Sequence, residues 1–99
     1  MVFAAKCFWP GVTQAEVERA TARAAQEAKR ASHAGNPVAY LGSIVFVDDD
    51  LLLCLFEASS PTVVWRTNER AGIPCERVME TVIGLPGAGL GNPIERSRK

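Results

Sequence analysis

Five polar or reactive side chains interrupt segments that are otherwise apolar, and they are the candidate ligand-binding residues: Lys6, Tyr40, Ser43, Cys54 and Glu80. A charged group is costly to bury alone, so we expect Lys6 and Glu80 to contact each other or a ligand. An ion pair between neighbouring strands is the purely structural alternative. Tyr40 and Ser43 have opposite parity along a strand, so their hydroxyls share a face only if Gly42 introduces a bulge. Without a ligand, both would pack in the core or an interface.

The three cysteines are Cys7, Cys54 and Cys75. Their number is odd and their spacing contains no CxxC motif, so the sequence predicts reduced thiols rather than a disulfide framework. Reduced thiols are typical of a cytoplasmic protein. Free cysteine often behaves as a small buried hydrophobe, which is the simplest interpretation of Cys7 and Cys54.

Other potential metal ligands are isolated from one another. His33 is the only histidine, and a single imidazole without nearby thiols or carboxylates does not make a metal site. Asp48, Asp49 and Asp50 form an acidic run too short for a calcium loop, so we interpret them as a solvated turn. The GAGLG run near the carboxyl end is not followed by a helix, which excludes a dinucleotide-binding fingerprint.

The strands and helices that would position these residues are predicted from hydrophobic periodicity and from the residue types that begin or end such elements. Pro10 and Gly11 end a first strand, Thr13 and Glu16 form a capping box, and Pro61 suits the first turn of a second helix. The pattern predicts strands at residues 2–8, 38–47, 51–57 and 77–83, helices at 14–32 and 61–71, and a domain over residues 1–84 followed by a flexible basic tail at 85–99.

The order β-α-β-β-α-β is typical of an α+β ferredoxin-like fold, with an antiparallel sheet of order 4-1-3-2. The strands are apolar on both faces, since Leu51, Leu53 and Leu55 alternate with Leu52, Cys54 and Phe56. Two helices cover only one face of such a sheet. We therefore expect a homodimer in which a second copy covers the other face, giving a dimeric α/β barrel.

Composition excludes several classes of partner. Eleven basic and eleven acidic residues cancel, which argues against a nucleic-acid-binding surface. No apolar run approaches the roughly 20 residues of a membrane span, and the amino-terminal residues lack a leader pattern. The expectation is a cytoplasmic protein with no nucleic-acid or membrane partner.

Four segments carry a family resemblance, VAYLGS at 38–43, CLFEA at 54–58, NERAGIP at 68–74 and RVME at 77–80. In order and spacing they resemble a bacterial family of small proteins of unassigned function. One described member is a nickel-binding protein, and the resemblance implies a ferredoxin-like fold and a dimer. Members carry an acidic residue where this chain has Lys6, and some carry a histidine where it reads Leu41-Gly42-Ser43. Both differences remove potential metal ligands.

Three functions remain open at this point. The first is a small-ligand or metal-binding protein, with the ligand held between the two sheets of a dimer; the sequence does not identify the ligand or any cofactor. The second is a cofactor-free enzyme of the oxygenase or isomerase type, with Glu80 or Tyr40 as general base. The third is a structural or regulatory interaction module without a ligand.

Overall fold

The chain folds into the predicted order of elements. Its structure, a computed structural model, describes residues 1–84 and 86. The elements are β1 (Val2–Phe8), α1 (Gln14–His33), β2 (Val38–Phe46), β3 (Leu51–Ala58), α2 (Pro61–Arg70) and β4 (Arg77–Thr81). A single 3-10 turn, Val47–Asp49, joins β2 to β3, where a solvated acidic turn was predicted. The predicted tail at 85–99 lies outside the described residues, apart from Pro86.

The four strands form one antiparallel sheet in the order β2-β3-β1-β4. This is the predicted order 4-1-3-2 read from the other edge, so the α+β ferredoxin-like arrangement is confirmed. Dimerisation into a barrel remains a prediction. Neither helix in the described part of the chain combines the length and apolar content that crossing a bilayer requires.

Both helices begin at the predicted caps. The Glu16 backbone N–H donates to the Thr13 hydroxyl at 3.1 Å, and the Thr13 N–H donates to the Glu16 carboxylate at 3.0 Å. These bonds satisfy two amide donors that have no partner within the helix. At α2 the Ser60 hydroxyl accepts from the Val63 N–H at 3.4 Å.

The core lies between the helices and one face of the sheet, which we call the helix face. A stripe of small residues on α1, spaced at the 3.6-residue helical period, is buried there: Ala20, Ala24, Ala28 and Ala31. Small side chains let α1 lie close to the strands. The strands contribute alternate residues to the same core: Phe3, Ala5, Cys7, Leu52, Cys54 and Phe56.

β2 contains a bulge at Leu41 and Gly42. Tyr40 pairs with Phe56 and Gly42 pairs with Leu55, so Leu41 has no partner on β3. Gly42 has a backbone φ of +141°, a conformation that L side chains rarely adopt. The extra residue reverses the alternation of side chains, and it brings Tyr40 and Ser43 to the same face of the sheet.

Candidate functional site

The sheet face turned away from the helices, here called the open face, is apolar and has no cover in the described chain. Strand register arranges it in rows that cross the sheet. One row contains Phe46, Leu51 and Phe8, and the next begins with Ile44 and Leu53. Several of these side chains are large and half exposed, with Phe8 at 50% and Ile44 at 48%. An apolar surface of this kind marks an interaction site.

Two cations complete the second row of the open face. Lys6 pairs with Leu53 on one side and with Arg77 on the other. Residues directly opposite on antiparallel strands have Cβ atoms about 5 Å apart, where like charges destabilise each other. Among the described residues, no carboxylate forms a salt bridge with Lys6 or Arg77. Two positive charges thus lie side by side on this face without a compensating carboxylate in the described chain.

The predicted contact between Lys6 and Glu80 is wrong. Glu80 pairs with Phe3, whereas Lys6 pairs with Arg77. Glu80 and Arg77 are three residues apart on one strand, and such positions point to opposite faces. Lys6 thus lies on the open face, while Glu80 lies on the helix side at the edge strand, exposed to solvent.

Tyr40, Ser43 and Cys54 do come together, but on the helix face. The hydroxyls of Tyr40 and Ser43 lie 2.5 Å apart, and the Ser43 hydroxyl donates to the Cys54 sulfur at 3.4 Å. Tyr40 also packs on Phe56, with ring centres 5.4 Å apart. Burial raises the pKa of the Tyr40 hydroxyl, and its hydrogen bond with Ser43 opposes that shift. The side chains satisfy each other, which suits a structural role.

The five predicted ligand-binding residues consequently do not line one cavity between two sheets. Lys6 alone faces the space that a second copy would enclose. Tyr40, Ser43 and Cys54 lie across the sheet from it, and Glu80 is separate from all four. Whether any of them contacts a ligand stays a prediction.

A second polar cluster lies where β1 meets α2 and β4. Cys7 and Cys54 are fully buried, Cys75 is partly exposed, and all three are free thiols. The side-chain amide of Asn68, itself 0% exposed, donates to the Cys7 sulfur at 3.7 Å, and the Asn68 carbonyl oxygen has no partner among the described residues. A buried polar atom without a partner is unusual in a folded protein.

The thiols influence each other's ionisation. Hydrogen bonding with Cys54 and Cys75, followed by burial, raises the pKa of Cys7. Hydrogen bonding with Cys7 lowers the pKa of Cys75 to about 7, with smaller contributions from hydrogen bonds with Asn68 and the Arg77 backbone, while burial opposes the shift. Hydrogen bonding with Cys7 also lowers the pKa of Cys54 against the effect of burial. Because Cys75 is the only one of the three that solvent reaches, its thiolate forms most readily.

The described residues contain no group of three histidine, cysteine or acidic side chains arranged to hold a metal ion. His33 lies in the last turn of α1, as expected for a helix-end residue. Asp50 is part of the turn before β3, where its carboxylate accepts from the Gly11 N–H at 3.3 Å. Asp50 therefore stabilises this turn, whereas His33 is exposed to solvent.

Sequence reasoning missed Arg77 and Asn68 as members of these two clusters. Arg77 was visible as the first residue of β4, but no short turn joins β1 to β4 and fixes which residue faces Lys6. The burial of Asn68 and its distance from Cys7 depend on how α2 docks on β1, which the hydrophobic period of the sequence does not specify.

The fold and the open face define a small α+β protein of ferredoxin-like architecture with an uncovered sheet. The chain belongs to the family described as nickel responsive protein SCO4226-like, whose sequence pattern matches residues 6–81. It is similar in structure to the crystal structure of SCO4226 from Streptomyces coelicolor A3(2), with a TM-score of 0.64 and 21% identity. That alignment covers 86% of this chain and 100% of the other, and at this identity it shows the fold alone. No curated protein matches the chain.

Proposed function

We propose that the protein is a homodimeric binding protein that holds a small anionic ligand between the open faces of its two sheets. One observation carries this proposal, namely the pairing of Lys6 with Arg77 at the β4 edge of an apolar, uncovered face. A second copy would bury the apolar rows and bring two such cation pairs together. Buried charges need partners, and an anion supplies them.

An anion fits this face better than nickel does. Two cationic side chains repel a divalent ion, and imidazole, the ligand that suits nickel, is absent from the open face of the described sheet. The name of the family, nickel responsive, still makes nickel the second candidate. A nickel site in this protein would need ligands from two chains or from outside the described residues, since the described chain offers no suitable group.

Native mass spectrometry of the protein as purified tests the proposal. We expect a dimer that retains a small anionic molecule, and we expect Lys6→Gln combined with Arg77→Gln to remain dimeric but to lose that molecule. Arg66→Gln combined with Arg70→Gln is the matched control, because it removes two cations from α2 and leaves the open face unchanged. A dimer of wild-type protein with nothing bound, or equal retention by both double variants, would contradict the proposal.

Calorimetry with Ni²⁺ separates the two candidates. We expect no tight site at neutral pH, because Lys6 and Arg77 disfavour a cation on the open face. A stoichiometric site of micromolar affinity, weakened by His33→Ala or Glu80→Ala, would instead favour nickel.

A further inference from the structure

The three cysteines differ in their access to solvent. Cys7 and Cys54 are both 0% exposed, whereas Cys75 lies in the segment between α2 and β4 and is partly exposed. Cys75 also lines an open surface cleft of about 340 Å³, together with Trp65, Glu69, Gly72, Ile73 and Pro74. A small solute therefore reaches Cys75 but not Cys7.

A bulge at the start of β4 brings Cys75 beside Cys7. Lys6 pairs with Arg77, and the Glu76 N–H also donates to the Lys6 carbonyl at 2.8 Å. Two successive residues, Glu76 and Arg77, thus oppose one residue of β1, which is the definition of a bulge. The extra residue shifts the alternation of side chains between the two faces of the sheet by one position. As a result Cys75, rather than Glu76, is the helix-face neighbour of Cys7.

A buried amide is aimed into the same cluster. Asn68 donates to the Cys7 sulfur at 3.7 Å and also interacts with Cys75, so it touches both thiols. Its carbonyl oxygen is buried and has no partner within the described part of the chain. A buried polar atom left unpaired in this way calls for an explanation, and a redox role is one of those known.

We propose that Cys75 and Cys7 form an oxidation site, in which a hydroperoxide oxidises Cys75 and Cys7 then closes an intramolecular disulfide. The inference does not depend on the proposed ligand between the sheets, because the two thiols lie on the helix face.

The chemistry takes two balanced steps. The Cys75 thiolate attacks the outer oxygen of the hydroperoxide, its O–O bond breaks, and the products are the Cys75 sulfenic acid and an alkoxide or hydroxide that takes up a proton. Cys7 then attacks the Cys75 sulfur. A disulfide forms, the S–O bond breaks, and the Cys7 proton leaves with the oxygen as water. The two thiols are oxidised and the hydroperoxide is reduced.

The division of roles follows from the surroundings of each thiol. The pKa of Cys75 is lowered to about 7, mainly by hydrogen bonding with Cys7, so a large fraction is thiolate near neutral pH. The pKa of Cys7 is raised, which keeps it protonated until Cys75 has been oxidised. Cys7 is shielded from the oxidant and therefore acts second.

Cys54 is a poorer partner for Cys7 on geometric grounds. Leu52, not Cys54, is paired with Cys7 across β1 and β3, so the two cysteines are diagonal neighbours. Such neighbours have Cα atoms about 7–8 Å apart, beyond the usual disulfide range of about 4.4–6.8 Å. Cys75 precedes β4 and is not held in such a diagonal register with Cys7.

Peptide mapping of the full chain after treatment with hydrogen peroxide tests the proposal. Trypsin places each cysteine in a different peptide, at residues 7–19, 31–66 and 71–77. We expect intact monomer on non-reducing gels, the loss of two hydrogens per chain, and one linked pair that joins peptides 7–19 and 71–77. Linkage of peptide 71–77 to another copy of itself, linkage of 7–19 to 31–66, or irreversible oxidation of Cys75 without a linked pair would overturn the proposal.

Variants assign the order of the two steps. In Cys75→Ser, whose side chain is partly exposed, we expect no linked pair and no oxidation of Cys7. In Cys7→Ser the Cys75 sulfenic acid should accumulate and be trapped by dimedone, while Cys54→Ala is the control that retains the Cys7–Cys75 link. Circular dichroism reports whether each variant is folded. If Cys7→Ser does not fold, the peptide map of the oxidised wild-type protein alone tests whether Cys75 and Cys7 form the disulfide. Equal oxidation of Cys7 in Cys75→Ser would reverse the assigned order and contradict the proposal.

Discussion

At the scale of single residues, Cys75 has the clearest chemical character in the described chain. Its thiolate is stabilised by Cys7 and by the Asn68 amide, and its pKa is lowered from 9.0 to about 7. Thiolate, not thiol, reacts with alkylating agents. We expect the rate of Cys75 alkylation by iodoacetamide to rise with pH through a midpoint of about 7, measured on peptide 71–77. Cys54 should stay unlabelled because it is buried. A midpoint near 9, or rapid labelling of Cys54, would contradict this assignment.

The lowered pKa of Cys75 also determines how the stability of the protein changes with pH. Between about pH 7 and pH 9 the folded chain has released the Cys75 proton while the unfolded chain still holds it, so the contribution of Cys75 increases as pH rises. It is fully present above the unfolded pKa and is lost as pH falls through about 7. The urea midpoint of the wild-type protein, measured relative to that of Cys75→Ser, should therefore rise between pH 7 and pH 9. An unchanged difference between the two proteins would show that the thiolate is not stabilised by folding.

Residue types alone predicted which side chains are unusual, but not which of them meet. Lys6 and Glu80 were correctly placed on neighbouring strands, yet the register puts Arg77 beside Lys6 and sends Glu80 to the other face. Strands joined by a short turn are aligned by that turn, whereas β1 and β4 are distant in sequence. Tyr40 and Ser43 share a face because the bulge that Gly42 suggested is present.

At the scale of elements, local signals were sufficient for the ends of the helices. The capping box at Thr13 formed as the sequence indicated, and Ser60 caps α2 in a similarly local way, because these contacts involve residues only three positions apart. No such short-range feature of the sequence predicted the bulge before β4. It depends on how the segment after α2 meets β1, so the proximity of Cys75 and Cys7 was not predictable from spacing.

Gly42 provides a prediction about the β2 bulge. Its φ is +141°, and among the described residues no atom beyond those of its two chain neighbours lies within 4 Å of the point that a Cβ atom would occupy, so replacement by alanine meets backbone strain but no steric clash. We expect Gly42→Ala to lower the free energy of unfolding by about 1–3 kcal/mol, measured by urea denaturation. Gly84→Ala is the control, since it also has open space around it and lies outside the strands. Equal effects of the two substitutions would show that the conformation of Gly42 is not strained for alanine.

At the scale of the whole molecule, the open face links stability to concentration. If a second copy covers that face, the folded state is stabilised by mass action, and the melting temperature should rise with protein concentration. Ile44→Glu places a charge on the open face, and we expect it to give a monomer in sedimentation and to abolish the concentration dependence. Trp65→Glu is the matched control, because Trp65 is 40% exposed on α2 and Ile44 is 48% exposed. A wild-type monomer at micromolar concentration would refute dimerisation through this face.

The bulge in β2 has a further consequence at the borders of the sheet. β2 and β4 are the outer strands, and an outer strand presents unpaired backbone groups onto which other chains add. The bulge at Gly42 interrupts that row on β2, while β4 is only five residues long and carries two charged side chains. Both features disfavour sideways addition. The two borders of the sheet therefore resist growth into a fibril, even if a second copy covers the open face.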